Sequence, residues 1–190
     1  MAVILLNPAI KTFLGLAADA KPTTDVPAGS SFLETDSGAV YVYDGAAWQL
    51  RLDLGPFRAS KTVTFTGAAN LGQLNTNTTL FTVTGEVQIV AIVPFCTTDL
   101  AGALGQVSLG ITGALALFIA ATLGTDIDAN EFWVDTTPDP NGVALPAALK
   151  DIAITDNILA AVTVADLTGG VLRVDVYWRP LSANGNVVAA

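Results

Sequence analysis

An all-β fold is predicted for this 190-residue chain: an antiparallel β-sandwich or jelly roll, preceded by an extended N-terminal arm and a small three-stranded meander. Three observations predict it. Apolar and polar residues alternate with a period of two in one run after another, no 3.6-residue stripe is sustained, and Gly, Pro, Asn and Asp punctuate the runs. Eight or nine such runs in roughly the last 120 residues match the spacing of sandwiches and jelly rolls.

The first element is the arm, Met1 to Gly29. Ala2 to Leu6 is apolar, but Asn7-Pro8 interrupts it and no basic residue precedes it, so no secretory signal is expected. Lys21-Pro22, Val26-Pro27 and Gly29 predict extended, turn-rich chain in place of helix. The meander follows from Ser31 to Asp53. Its strands are Ser31 to Thr35, Ala39 to Tyr43 and Ala47 to Leu52, joined by Asp36-Ser37-Gly38 and Asp44-Gly45. Each turn ends in Gly, the residue that accepts positive φ without steric cost. Tyr41 and Tyr43 share one face and Val40 and Val42 the other. Leu54-Gly55-Pro56 then breaks the pattern and divides the chain into residues 1–55 and 56–190.

In the second part Val63 and Phe65 alternate with Thr62, Thr64 and Thr66, and Phe81 and Val83 with Thr82 and Thr84, as in half-buried strands. Val87 to Val93 is apolar on both faces after Gln88, which predicts a central strand covered on either side and stopped at Pro94. Leu115 to Ile119, Phe132 to Val134, Ile152 to Ile154 and Ile158 to Val164 are the next strands. In the last, Leu172, Val174, Val176 and Trp178 face one way, Val171, Arg173, Asp175 and Tyr177 the other, and Pro180 closes it.

The charge is unusual. Lys and Arg number 8, Asp and Glu 17, giving a net charge of −9 with only 13% charged residues, about half the usual share. Mean hydropathy is +0.56. Leu100 to Thr125 is free of charge and long enough to span a bilayer, but Gln106, Ser108 and Thr112 alternate with Val107, Leu109 and Ile111. That is a strand pattern, so no membrane partner is expected. The acidity argues against nucleic acid, whose affinity comes mainly from Lys and Arg releasing counterions. The hydrophobic excess is expected in sandwich cores and subunit contacts, and the acids at turns and on outward faces.

Chemistry has few candidates. There is no His, the commonest general base and metal imidazole. A Ser or Cys nucleophile would need a Lys or carboxylate base, and no Ser-x-x-Lys arrangement surrounds Lys11, Lys21, Lys61 or Lys150. Cys96 is the single cysteine and reads as a small buried hydrophobe. A carboxylate pair at hydrolase separation is a property of the fold, which spacing does not show. Asp126, Asp128 and Asn130 open like a calcium loop, but Glu131 and Thr137 occupy the positions where an EF-hand needs Gly and Glu. An acidic turn is the simpler reading. No cofactor is expected, and no enzyme activity. Tyr41, Tyr43 and Trp48 could stack on sugar rings, with Trp133 and Trp178 as further candidates, although aromatics more often hold small sheets together.

Lys21-Pro22-Thr23, then Gly29-Ser30-Ser31-Phe32-Leu33-Glu34-Thr35-Asp36-Ser37-Gly38, then Tyr41-Val42-Tyr43-Asp44-Gly45-Ala46-Ala47-Trp48 resembles a segment of tailed-bacteriophage virion proteins, of the form K-P-T, G-S-x-F-x-E-T-D-x-G, Y-x-Y-D-G-x-x-W. A looser resemblance to β-rich phage structural proteins covers Thr125 to Asp135 and Arg179 to Asn186. The resemblance implies a non-enzymatic virion protein, a capsid-decorating or head-fibre protein forming a homo-oligomer, expected to be a trimer, on the major capsid protein. A tail-associated receptor- or carbohydrate-binding module is the alternative it leaves open. The arm would anchor, the meander would dock and the sandwich would project, with Phe13, Leu14, Tyr41, Tyr43 and Trp48 as candidate partner-binding residues. Low charge supports an assembling surface independently, because interface cores are depleted of charge.

Overall fold

The computed structural model describes residues 10–36, 38–51 and 56–190. The expectations for Ala2 to Leu6, for Ser37, for Leu52 and Asp53 and for Leu54-Gly55 lie outside the described residues. The chain divides into two compact units, Met1–Gly55 and Pro56–Ala190.

The first unit is a four-stranded sheet in the order β1-β2-β3-β4: β1 Thr12–Gly15, β2 Ser31–Glu34, β3 Val40–Tyr43 and β4 Trp48–Leu50. The last three form the expected meander, with Gly38 and Gly45 at φ 74° and 104° in its turns. The arm differs from expectation. Its stretch Thr12–Gly15 pairs parallel with β2 and makes the sheet mixed and four-stranded. The link from Ser31 N–H to the Lys11 carbonyl (3.0 Å) and from Thr35 N–H to that of Gly15 (2.8 Å) extends this pairing at both ends. Four residues are too few for a period-two signal to stand out, and a parallel partner 19 positions away leaves no local turn signature.

The second unit is a two-sheet sandwich. Its strands are β5 Phe57–Thr64, β6 Asn77–Thr84, β7 Val87–Ala101, β8 Gln106–Ile111, β9 Ala114–Leu123, β10 Ile152–Ile154, β11 Ile158–Thr163, β12 Gly169–Pro180 and β13 Asn186–Ala189. One sheet runs β10-β7-β12-β5 and the other β13-β6-β11-β8-β9. β5 pairs with β12, β6 with β11, β7 with β10 and β8 with β9, all antiparallel. This nested pairing is one long hairpin rolled over so that its strands alternate between two sheets, the wrap of a jelly roll; β13 extends it beside β6. The two inner faces close on a core that includes Phe65, Leu80, Ile89, Leu109, Ile119, Ile158, Val174 and Trp178. The expected inward set Leu172, Val174, Val176 and Trp178 is buried there.

Four expectations are corrected. Pro94 does not stop β7, which runs on to Ala101. Its carbonyl accepts from Trp133 N–H (3.2 Å), on the side away from β12, so the missing Pro N–H also faces that side and costs the β12 ladder nothing. Nor is β7 covered on both faces, since Ala91, Val93 and Phe95 on the outer face are only half-buried. Phe132 to Val134 forms no strand; Phe132 makes isolated bridges to Phe95 and Asp139. Pro138 and Pro140 on either side of Asp139 have no N–H to extend that ladder. Finally, Glu34 is buried within β2 on the face of Phe32, at 4% exposure, where acids were expected at turns and on outward faces; Asp175 does lie on the outward face of its strand, although it too is buried there.

Among the described residues no helix is long and apolar enough to cross a membrane. Leu100 to Thr125 contains the β8–β9 hairpin, in which Ser108 is buried, its hydroxyl donating to the Leu115 carbonyl at 2.8 Å.

Candidate functional site

The segment that carries the phage resemblance folds into one cluster centred on Trp48. Register places Phe13, Phe32, Tyr41, Tyr43 and Trp48 on a single face of the four-stranded sheet. Trp48 has Phe13 at 6.0 Å and 88°, Phe32 at 5.9 Å and 69° and Tyr43 at 5.2 Å and 50° between ring centroids and planes, edge-on or tilted contacts that aromatic quadrupoles favour. Its indole N–H donates to the Pro22 carbonyl at 2.7 Å.

Lys21 closes the same face. Its ammonium lies 4.2 Å from the Tyr41 ring centroid and 5.1 Å from that of Phe32, and pairs with the Glu34 carboxylate at 2.6 Å. The Tyr41 hydroxyl also donates to Glu34. Burial first, and then the Glu34 charge and this hydrogen bond, raise the Tyr41 pKa above its ordinary value. The turns are tied as locally. Asp44 accepts from the N–H groups of Ala46 and Ala47 at 2.8 and 2.7 Å, and buried Ser30 accepts from Lys11 N–H at 3.1 Å. Each residue type that defines the motif has a partner within the unit.

Of the candidate partner-binding residues, Phe13, Tyr41, Tyr43 and Trp48 therefore converge, but inward on one another. Leu14 lies on the opposite face and is 68% exposed, with Leu33, Val40 and Val42 half-buried on that face and Leu16 exposed nearby.

On the outer face of the sandwich, Asp175 of β12 accepts from Arg58 of β5 at 2.8 Å and from Arg173 at 3.1 Å. Burial alone would raise the Asp175 pKa, but hydrogen bonds from Ser60 and Arg58 and the two guanidinium charges hold it below its ordinary value. Arg173 also sits 5.3 Å over the Phe95 ring, which meets Phe132 at 5.0 Å. The outward alternation of Arg173 and Asp175 was legible in sequence; Arg58, 117 residues from Asp175, was not.

The acidic loop is a turn. Gly124–Asp126 is a single 3-10 turn, Ile127 is buried, Asn130 takes φ 69°, and Asp128 N–H donates to the Glu131 carboxylate at 3.0 Å. Asp99 accepts from Ala129 N–H at 2.7 Å. Among the described residues no three Cys, Asp or Glu side chains gather to hold a metal ion. Cys96 is buried, and burial pushes its thiol up to about 11. A groove of about 510 Å³ between β5 and β6 has a mixed lining, with Lys61, Thr64, Asn70, Asn77 and Thr79 beside Val63 and Leu71.

The strand edges of the sandwich differ sharply. β5 carries Arg58 and Lys61, β10 has three residues and β13 four. β9 has ten, with no charge and no proline. Comparison with family models, with curated proteins and with solved structures returned no match.

Proposed function

We propose that this chain is a non-enzymatic structural protein of a tailed-phage virion, a capsid decoration or head-fibre protein that self-associates and contacts the major capsid protein. The observation that carries the reading is the use of the motif residues. Lys21, Phe32, Glu34, Tyr41, Tyr43 and Trp48 are spent on one another within a small sheet, which is how a transferable structural module is built. The apolar side chains left exposed, Leu14 and Leu16 on the first unit and Leu115 and Leu117 on the second, suit a protein whose surface meets other subunits.

Antibody raised against the chain is expected to label the heads of intact tailed-phage particles in electron micrographs; unlabelled heads overturn the reading. Because Thr12–Gly15 of the arm is a strand of the folded sheet, the anchoring role is tested by Leu14→Lys, which changes an exposed side chain and is expected to abolish labelling while the sheet stays folded.

The tail-associated alternative has one observation in its favour, the groove between β5 and β6, where Thr64, Asn70, Asn77 and Thr79 offer polar groups beside apolar Val63 and Leu71. Of the aromatic rings that would stack on sugars, Tyr43 and Trp48 pack on each other, and Tyr41 is engaged by Lys21 and Glu34. Binding on a glycan array that Asn77→Ala abolishes would favour this reading.

A further inference from the structure

We propose that Asn141 is a site of self-modification, where the folded chain converts its own side-chain amide into a carboxylate without an enzyme. The Gly142 main-chain nitrogen attacks the carbonyl carbon of the Asn141 side chain. Its proton leaves with the amide nitrogen as ammonia, and a five-membered cyclic imide remains. Water then opens the ring at one carbonyl or the other, giving Asp or isoaspartate, with no oxidation or reduction at any step. The site is independent of the virion reading.

The first support is the neighbouring residue. The attack is easiest where the next residue carries no Cβ to crowd it, and Asn-Gly occurs only at Asn141-Gly142 and Asn184-Gly185. The other described asparagines precede Leu71, Thr76, Thr78, Glu131, Ile158 and Val187. The second support is what each Asn-Gly pair touches. Asn141, Gly142, Val143 and Ala144 are exposed, and nothing lies within 4 Å of the point where a Cβ on Gly142 would stand. The Asn141 main-chain N–H donates to Asp139 at 2.8 Å, but the Asn141 side-chain amide and the Gly142 N–H have no hydrogen-bond partner among the described residues. Both reacting groups are therefore free to meet. Asn184-Gly185 is the opposite case. The Asn184 side-chain oxygen accepts from the Ser182 hydroxyl at 3.0 Å, and the Gly185 N–H donates to the Ser182 carbonyl at 2.9 Å. The Glu86 carbonyl lies 2.5 Å from where a Gly185 Cβ would stand, so that nitrogen is packed as well as bonded.

The fold tolerates the product. Upstream, Phe132 and Asp139 exchange two main-chain hydrogen bonds, at 3.0 and 3.1 Å. Downstream, the 3-10 turn Ala147–Leu149 is pinned by the fully buried Leu149. Asn141 lies on the exposed link between these two anchors, so the extra backbone methylene of isoaspartate falls where no ladder bond has to move. The new carboxylate also stands in water, which spares it the cost of burial. It takes the chain from −9 to one charge more negative while the sandwich core keeps its contacts.

The test uses the full chain, aged for weeks in warm, mildly alkaline buffer. Isoelectric focusing is expected to show a gain of one negative charge, with ammonia released in step, and peptide mapping to find Asp and isoaspartate at position 141. Asn184 is expected to react at least about 10-fold more slowly, because two hydrogen bonds must open before its groups can meet. In guanidinium chloride, where those bonds are gone, the two sites are expected to react at similar rates. Asn141→Gln, whose ring would need six members, is expected to stop the charge gain with an unchanged circular dichroism spectrum. The aged wild-type chain is expected to keep the spectrum and the unfolding midpoint of the fresh one. Native Asn184 reacting as fast as Asn141, an Asn141 that stays intact in the native chain while it reacts in denaturant, an undiminished charge gain in Asn141→Gln, or an aged chain that has unfolded would overturn the proposal.

Discussion

Lys21 and Glu34 are 13 residues apart in sequence, yet the ammonium lies 2.6 Å from the carboxylate, with side-chain exposures of 18% and 5%. Removing either member strands a charge in a small apolar sheet. Breaking a buried pair costs several kcal/mol, and roughly 3 kcal/mol is expected for Lys21→Met because the ammonium keeps some water. Amide exchange in β2 and β3 is the readout, about 100-fold faster in the variant. Lys21→Met/Glu34→Gln is expected to recover part of the loss, since no unpaired charge remains.

Tyr41 gives the same unit an alkaline limit. Its folded pKa is raised, so the protonated phenol is the form the fold stabilises. That contribution is fully present below the unfolded value of about 10 and is lost as pH rises through the folded value. Exchange protection of β2 and β3 is expected to fall above pH 10 in the wild type. In Tyr41→Phe the alkaline loss disappears, and stability at pH 7 is lower by about 1 kcal/mol for the missing hydrogen bond.

Asp175 behaves in the opposite sense in the sandwich. Its folded pKa is lowered, so its contribution is present above the ordinary carboxylate value and is lost as pH falls through the folded one. Urea unfolding of the second unit, followed by near-ultraviolet circular dichroism, is expected to show a stability loss below about pH 4 that Asp175→Asn lacks. At pH 7 Asp175→Ala is expected to be the worse variant, because Arg58 and Arg173 are left facing each other without an acceptor.

Cys96 supplies a probe of sandwich opening. With the thiol buried and its pKa pushed up to about 11, a disulfide reagent at pH 8 is expected to leave the native chain unlabelled for hours and to label one thiol at once in denaturant. Rapid labelling of the native protein would mean that β7 and the loop carrying Ile127 part easily, since the Cys96 sulfur lies against the Ile127 carbonyl.

Much of this architecture was legible where the signal is local. The meander turns were marked by Gly38 and Gly45, and β12 by the alternation of Leu172, Val174, Val176 and Trp178 with Arg173, Asp175 and Tyr177. Misreadings arose where tertiary context decides. Pro94 looked like a stop because one-dimensional pattern does not say which side of a strand has a neighbour. Thr12–Gly15 was hidden by its length and its parallel partner. The candidate site was legible as a set of aromatics but not as an inward cluster, because the Lys21–Glu34 pair that seals it joins an expected loop to a strand. Arg58 and Asp175 lie on neighbouring strands that are 117 residues apart in sequence, and no spacing rule connects them.

The nested pairing of the roll also makes one order of strand pairing cheaper in chain entropy than another. Were β5 to meet β12 first, closing the loop between Thr64 and Val171 would cost chain entropy before the intervening strands had any partner. Starting from the β8–β9 hairpin, whose turn is only Thr112-Gly113, each pair that forms brings the ends of the next one together: β7 to β10, then β6 to β11, then β5 to β12. A topology dominated by distant contacts, which would by itself fold slowly, can thus be assembled as a succession of closures each shorter than that from Thr64 to Val171, the longest link being residues 124–151 between β9 and β10. In that order Arg58 and Asp175, on the outermost pair, meet last, and their ion pair would be the clasp of a roll wound from the inside out.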